Sequence, residues 1–319
     1  MVIPDLSVVV VVGPLRGRAA PCLASLDAQG LGERLEVLLV DLGPEGSAPV
    51  RGSEKATVRV LRFPPGATFS ASRARAVAEA GAPVVAFLEE HTRVRPGWAD
   101  AVLGAFRDPG VAGVGWGVVC ANPGVGKADV IGLLSYGLFE PPLAGGETRL
   151  LPGHNASFRA DVLLAFGDEL SRLLACDLVL HERMLREGRR FVLAQDAVME
   201  HLNETSLHSI GLGVELFYRI YGPLRAAEGR WGLGRRALYV AATPLIPLYA
   251  LLLAVQRYRK SRPERARLLL RNAPFVYAVH LRAAWGQAHG LLFGPGDAEA
   301  RFTVYELSEP REAPRSAPA

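Results

Sequence analysis

Residues 7–12 read SVVVVV, and no other feature narrows the fold of this chain as much. Consecutive β-branched residues favour a strand over a helix, and a run without polar alternation needs cover on both faces. Leu35–Val40 and Val84–Leu88 have the same character, and Thr57–Phe63 alternates as a shorter strand. Between these runs lie Arg18–Gln29, with Leu23 and Leu26 on one side, and the Ala-rich Ser70–Ala80, both with helical spacing. Buried strands separated by helices predict an α/β protein with a doubly wound, mainly parallel sheet and flanking helices. Ligands of such sheets sit beyond the carboxyl ends of the strands. Asp41 closes the second run and Glu89-Glu90-His91 the fourth, so both fall at that edge.

Further along, Pro96–Phe106 has Trp98, Val102 and Phe106 on one helical face. Residues 110–151 are rich in Gly and Pro and read as strands and loops. Helical patterning returns at Phe158–Leu164 and Asp177–Arg186, and Phe191–Met199 is a strand-like run leading to Glu200-His201. Leu207, Ile210, Val214, Phe217 and Tyr221 mark an amphipathic helix. After about Arg230 the character changes. Ala237–Val255 holds nineteen residues without a charge, interrupted by Pro244 and Pro247. A basic cluster follows: Arg257, Arg259, Lys260, Arg262, Arg265, Arg267 and Arg271, opposed by Glu264. Ala273–Phe293 is apolar again but carries His280, Arg282 and His289, which suits an interfacial helix better than a spanning one. Basic residues between apolar segments are attracted to an anionic cytoplasmic leaflet; an ordinary helical subdomain is the plainer alternative. The expected division is residues 1–230 as an α/β domain, 231–297 as a membrane-associating helical segment, and 298–319 as a tail disordered over Ser308–Ala319.

The net charge of +4, from 36 basic and 32 acidic residues, gives no basis for nucleic acid binding. Cys22, Cys120 and Cys176 are far apart, which argues against a disulfide framework or a structural zinc site and for a reducing, cytoplasmic setting. The apolar N-terminal stretch has no basic region ahead of it and carries Asp5, so it reads as a strand and not a signal peptide.

Several residues are of types that do chemistry. In an extended strand Glu89 and His91 project to one side, and a carboxylate with an imidazole suits Mn²⁺ or Mg²⁺. The plain reading is a solvated strand end. Asp41 has the alternative of capping a turn, Arg73 of being a solvated helix charge, and His201 of being structural. In LPGHNASF, Gly153 admits close backbone approach while His154 and Asn155 are polar, or Asn155 is a helix N-cap. Asp177 stands ahead of a helical run, where N-caps are common.

Taken in order, SVVVVVG, EVLLVDLG and FLEEHTRVRPGW resemble a family 2 glycosyltransferase of the GT-A fold, over about residues 5–225. The third stretch is similar to that family's D-x-D motif, with Glu89 and His91 in the two acid positions, a variant of Glu-Glu/Asp-His type associated with a bacterial subgroup. The resemblance implies inverting transfer of a sugar from a nucleotide-diphosphate donor to a hydroxyl acceptor, with a divalent cation, Mn²⁺ or Mg²⁺, on Glu89, His91 and His201. It implies Asp177 as general base, His181 one helical turn on as its partner, and Glu182 as a weaker substitute. It places Asp41, Arg73, Glu90, Gly153, His154 and Asn155 on the donor side. Leu42, Ala74 and Cys176 depart from the pattern, which leaves open a non-catalytic nucleotide-sugar or membrane binder. A nucleotidyltransferase is a further rival, although GPLRGRAAP has few glycines for its phosphate loop. The apolar, basic C-terminal part implies a lipid-linked or envelope-polysaccharide acceptor and a peripheral location at the inner face of the plasma membrane.

Overall fold

The computed structural model describes residues 3–50 and 55–313. In chain order its principal elements are β1 (Leu6–Val12), α1 (Ala19–Asp27), β2 (Leu35–Asp41), β3 (Thr57–Arg62), α2 (Phe69–Glu79), β4 (Val84–Glu89), β5 (Thr92–Val94), α3 (Trp98–Ala105), β6 (Val111–Cys120) and α4 (Ala128–Tyr136). Then come β7 (Gly146–Thr148), β8 (Ser157–Arg159), α5 (Ala160–Leu164), α6 (Glu169–Leu174), α7 (Asp177–Arg186) and β9 (Arg190–His201). Helices complete the chain: α8 (Leu207–Glu228), α9 (Leu233–Ala241), α10 (Ile246–Arg259), α11 (Pro263–Arg271), α12 (Ala273–Phe293) and α13 (Ala298–Ser308). Two compact units emerge, one ending at Val119 and resuming over Phe139–His201, the other formed by Cys120–Leu138 and the chain from Leu202. The second unit thus takes in residues 120–138 as well as the chain from 202 on.

In the first unit the strands run in the order β3-β2-β1-β4-β8-β6-β9-β5, with β7 beside β9. The first four are parallel, as their sequences predict. Every residue of β1, β2 and β4 is buried. Val12 lies opposite Asp41 and Val11 opposite Glu89, so both carboxylates leave the sheet at one edge, on either side of β1. Beyond β4 the sheet departs from the expected mainly parallel one. β8 is antiparallel to β4 and β6, and β9 is antiparallel to β5 and β7. The sheet is mixed.

The mixed half escapes sequence patterning for physical reasons. β7 and β8 have three residues each, too few for a period. β6 alternates Gly113, Gly115 and Gly117, and a Cβ on any of them would lie 2.8 Å from Phe191, Pro152 or Pro141 respectively. These glycines serve close packing, yet they make the strand look like a loop. Phe158, assigned to a helix, pairs in β8 before α5 starts, and α4 lies in the stretch read as strands and loops.

The second unit is helical. α8 starts at Ser206, whose hydroxyl accepts from the Ser209 N–H at 3.2 Å. It packs along α12, whose Gly286 and Gly290 face the carbonyls of Glu215 and Arg219 closely enough to exclude a side chain. Val276, Val279, Ala283, Ala284, Gln287 and Leu291 are buried. α12 thus packs along one face, while Tyr277, Leu281 and Trp285 remain exposed on it. The uncharged stretch 237–255 is split between α9 and α10, which meet at 76°. Among the described residues no single helix is long and apolar enough to cross a membrane.

The tail is more ordered than its composition predicts. α13 buries Phe302, Tyr305 and Leu307, and the Arg311 side chain, 2% exposed, pairs with Glu204 at 3.0 Å and Glu306 at 2.9 Å. Tyr305 donates to Glu204 at 2.7 Å. Residues 314–319 of the expected disordered end lie outside the described residues.

Candidate active site

β4 ends on Glu89, and Glu90-His91 form a turn before β5. Strand alternation therefore does not orient His91. The β5–β9 register does, by setting Thr92 opposite His201. The Nε2 atoms of His91 and His201 stand 3.1 Å apart. The Glu89 Oε2 lies 3.2 Å from His201 Nε2 and 3.9 Å from His91 Nε2. One ligand atom from each of the three falls within 4.8 Å of the other two, and all three residues are buried. A solvated strand end has none of these properties. Two imidazole nitrogens and a carboxylate oxygen fit a first-row divalent cation such as Mn²⁺ better than Mg²⁺, which prefers an oxygen shell.

The triad is braced from outside. Asn155 donates its amide N–H to Glu89 Oε2 at 2.5 Å and accepts the Glu89 backbone N–H at 3.2 Å. It is a clamp on that carboxylate, not a helix cap. Glu90 faces away from the triad, where its carboxylate accepts from Arg18 and lies 3.4 Å from His91 Nδ1. A carboxylate behind a ligating imidazole fixes the ring and raises its basicity. Burial raises the Glu89 carboxyl, but the hydrogen bond to His201 and the charge of both imidazoles outweigh it and hold the group well below the usual carboxylate range. Glu90 is lowered in the same way, with burial opposed by His91 and Arg18.

The peptide from His154 to Asn155 leads to a second cluster. Asp177 opens α7, where a helix N-terminus favours negative charge. Its Oδ1 accepts from Arg73 Nη1 at 3.3 Å, and its Oδ2 contacts His154 Nδ1. The same Arg73 nitrogen is 3.1 Å from His154 Nδ1, and the guanidinium lies 4.0 Å above the Phe87 ring. Arg73 is thus a buried partner of Asp177, not a solvated charge. Burial raises the Asp177 carboxyl, and Arg73 and His154 reverse that strongly, leaving it well below the usual range. For His154, burial lowers the imidazole and the Asp177 carboxylate more than compensates, so it is raised. Gly153 takes φ +56° just before, a left-handed turn that glycine favours.

His181 does not join the cluster by a hydrogen bond. Its ring lies 5.7 Å from both Phe158 and Phe191, its Nε2 has no hydrogen-bond partner among the described residues, and burial lowers it to about 4. Glu182 is exposed on the outer side of α7. Asp41 lies apart from both clusters. Arg16 grips it through two bonds of 2.5 and 2.8 Å, and the Gly43 N–H donates to it at 2.9 Å. Together with Arg62, Phe63 and Pro64 they line a cavity of about 270 Å³. Hydrogen bonding from Arg16 outweighs burial and lowers the Asp41 carboxyl. Arg16 and Arg18 were not singled out as site residues. Their place just past the carboxyl end of β1 was the available signal.

Residues 8–166 match the family model described as glycosyl transferase family 2. No curated protein matches the chain by sequence. Among solved structures, the mannosyltransferase PcManGT from Pyrobaculum calidifontis, in complex with GDP-Man and Mn²⁺, is similar at 17% identity and TM-score 0.54, over 92% of this chain and 88% of that one. S. aureus TarS 1-349 in complex with UDP aligns at 15% identity and TM-score 0.45, over 89% of each chain. Residues 8–166 are thus similar to family 2 glycosyl transferases, and the α/β fold is that of a solved glycosyltransferase.

Proposed function

We propose that this protein is an inverting, metal-dependent glycosyltransferase that moves a sugar from a nucleoside-diphosphate donor to a hydroxyl acceptor. The observation that carries the reading is the convergence of Glu89, His91 and His201, from the ends of two distant strands, into a buried ligand set. When bound there, a divalent cation neutralises charge building on a leaving diphosphate. Asn155 and Glu90 hold the ligand set in place. Asp41, Arg16 and Arg62 offer charged hydrogen-bonding groups to the nucleoside end of the donor, with Phe63 beside them as an apolar wall. Proton removal from the acceptor falls to the cluster of Asp177, Arg73 and His154. His181 sits behind that cluster, packed against Phe158 and Phe191.

The acceptor is proposed to be lipid-linked or part of an envelope polysaccharide, handled at the inner face of the plasma membrane. In support, α9, α10 and the turn between them expose Leu233, Leu238, Leu245, Leu248, Tyr249 and Leu252. The basic Arg257, Arg259 and Lys260 stand exposed at the end of α10. Apolar side chains bounded by positive charge complement an anionic lipid surface.

The central experiment is release of nucleoside diphosphate from a panel of UDP- and GDP-hexoses. Release is expected with Mn²⁺ and abolished by a chelator. A chain that binds donor but releases no nucleotide under any metal is a binder, and the enzymatic reading then fails.

A further inference from the structure

We propose that Arg311 is a positioning residue for the metal ligand His201. Through it, the segment after α13 latches the residues that leave β9, and the ion affinity of Glu89, His91 and His201 depends on that latch. The inference rests on the triad being a metal site, and not on the reaction carried out there.

His201 pairs with Thr92 at the end of the β5–β9 ladder, and residues 202–205 follow outside any strand or helix. The sheet therefore fixes the backbone of the ligating residue on its N-terminal side only. Beyond it, side chains do the holding. Asn122 accepts the Asn203 N–H at 3.0 Å and donates to the Asn203 carbonyl at 2.8 Å. Arg311 Nη1 donates to the Leu202 carbonyl at 3.3 Å and lies 3.0 Å from a Glu204 carboxylate oxygen. Asn122 thus holds the second residue past the ligand, and Arg311 holds the first and the third.

This grip is not a surface ion pair. Asn122, Asn203, Glu204 and Glu306 are buried, and the Arg311 side chain nearly so. One guanidinium serves both acids, meeting Glu306 at 2.9 Å, while Tyr305 donates to Glu204 at 2.7 Å. Without the guanidinium, two carboxylates share one place out of water, where like charges repel and a charge without its partner is costly. Glu306 is set within α13, whereas Glu204 lies on the irregular stretch and has the freer way out. Leu202 and Asn203 would shift with it, and a peptide bond joins Leu202 to His201. Asn122 binds the same two stretches together, since the amide that holds the Asn203 carbonyl also donates to the Glu312 carbonyl at 3.0 Å.

The test measures Mn²⁺ binding to full-length protein by titration calorimetry, with no sugar donor present. Loss of a group that supports a ligand typically weakens metal binding about 10- to 100-fold, and Arg311→Met is expected to raise the Mn²⁺ dissociation constant by that order. Arg311→Lys keeps a positive charge between the acids but lacks the fork that serves Glu204, Glu306 and the Leu202 carbonyl together. It is expected to bind Mn²⁺ with an affinity between wild type and Arg311→Met, and it carries the test alone if Arg311→Met does not fold. Leu269→Ala empties a separate core of the same unit. It is expected to lower the urea midpoint and leave the dissociation constant unchanged, which separates positioning from general stability. Folded Arg311 variants that bind Mn²⁺ as tightly as wild type overturn the latch and leave the triad standing. Leu269→Ala weakening Mn²⁺ as much as Arg311→Met overturns it too. Wild-type protein that takes up no Mn²⁺ removes the metal site itself, and the inference falls with it.

Discussion

Glu89, His91 and His201 offer three ligand atoms within 4.8 Å of one another. Glu89 and His91 stood out because two acids and an imidazole end an apolar run. Their bond to His201 needs the β5–β9 pairing, and the links from Arg16 to Asp41 and Arg18 to Glu90 need β1 to lie beside β2 and β4. No local period encodes such pairings. If the triad binds Mn²⁺ in the native state only, ion at one hundred times its dissociation constant stabilises the fold by about 2.7 kcal/mol. The melting temperature should therefore rise on adding Mn²⁺, and His91→Ala or His201→Ala should remove that rise in a thermal shift measurement; an unchanged rise would exclude the altered residue from the ligand set. His181 makes a separate prediction. Its folded value of about 4 lies below the ordinary 6.5, so the unfolded chain binds the extra proton first as pH falls. Stability from this group is complete above the ordinary value and is lost as pH drops from there to about 4, on the order of 3 kcal/mol. His181→Phe should flatten urea-denaturation stability across that window, and an unaltered slope would show that the imidazole is not the group responsible.

At the scale of elements, strands with continuous β-branched runs were found within a residue or two, because burial on both faces leaves one composition. β6 lies in the stretch read as strands and loops but had no bounds, because its glycines, which make room for Phe191, Pro152 and Pro141, leave no pattern to mark its ends. α12 was placed correctly along the chain, and its sequence left its surroundings open, since an apolar segment with a few polar residues suits a packed helix as well as an interfacial one. Its contact with α8 is tight enough to measure. Gly286→Ala sets a methyl group against the Glu215 carbonyl, and overpacking of this kind destabilises by about 1–3 kcal/mol. Chemical denaturation of the full chain should show a midpoint lowered accordingly. A midpoint equal to wild type would mean that the two helices separate without loss.

For the molecule as a whole, the modest net charge of +4 conceals a local excess around α10 and α11. That concentration, with the exposed leucines of α9 and α10, leads to a vesicle experiment. Full-length protein should float with vesicles containing phosphatidylglycerol and remain behind with pure phosphatidylcholine. Each engaged basic residue contributes roughly 1 kcal/mol near such a surface, so binding should weaken as salt rises. Leu248→Glu with Leu252→Glu should abolish flotation while leaving nucleotide release from a soluble assay intact. Equal flotation of that double variant would remove α10 from the contact.

His201 is the final residue of the sheet-bearing unit, and its neighbours in the ligand set were made 110 or more residues earlier. A nascent chain still short of β9 holds Glu89 and His91 without their third companion. If the three hold a divalent ion, high affinity arises only after the ribosome has delivered the last strand and that strand has inserted between β6 and β5. Translation order alone would then keep a half-made protein from capturing metal tightly, and capture would mark the moment at which this unit closes.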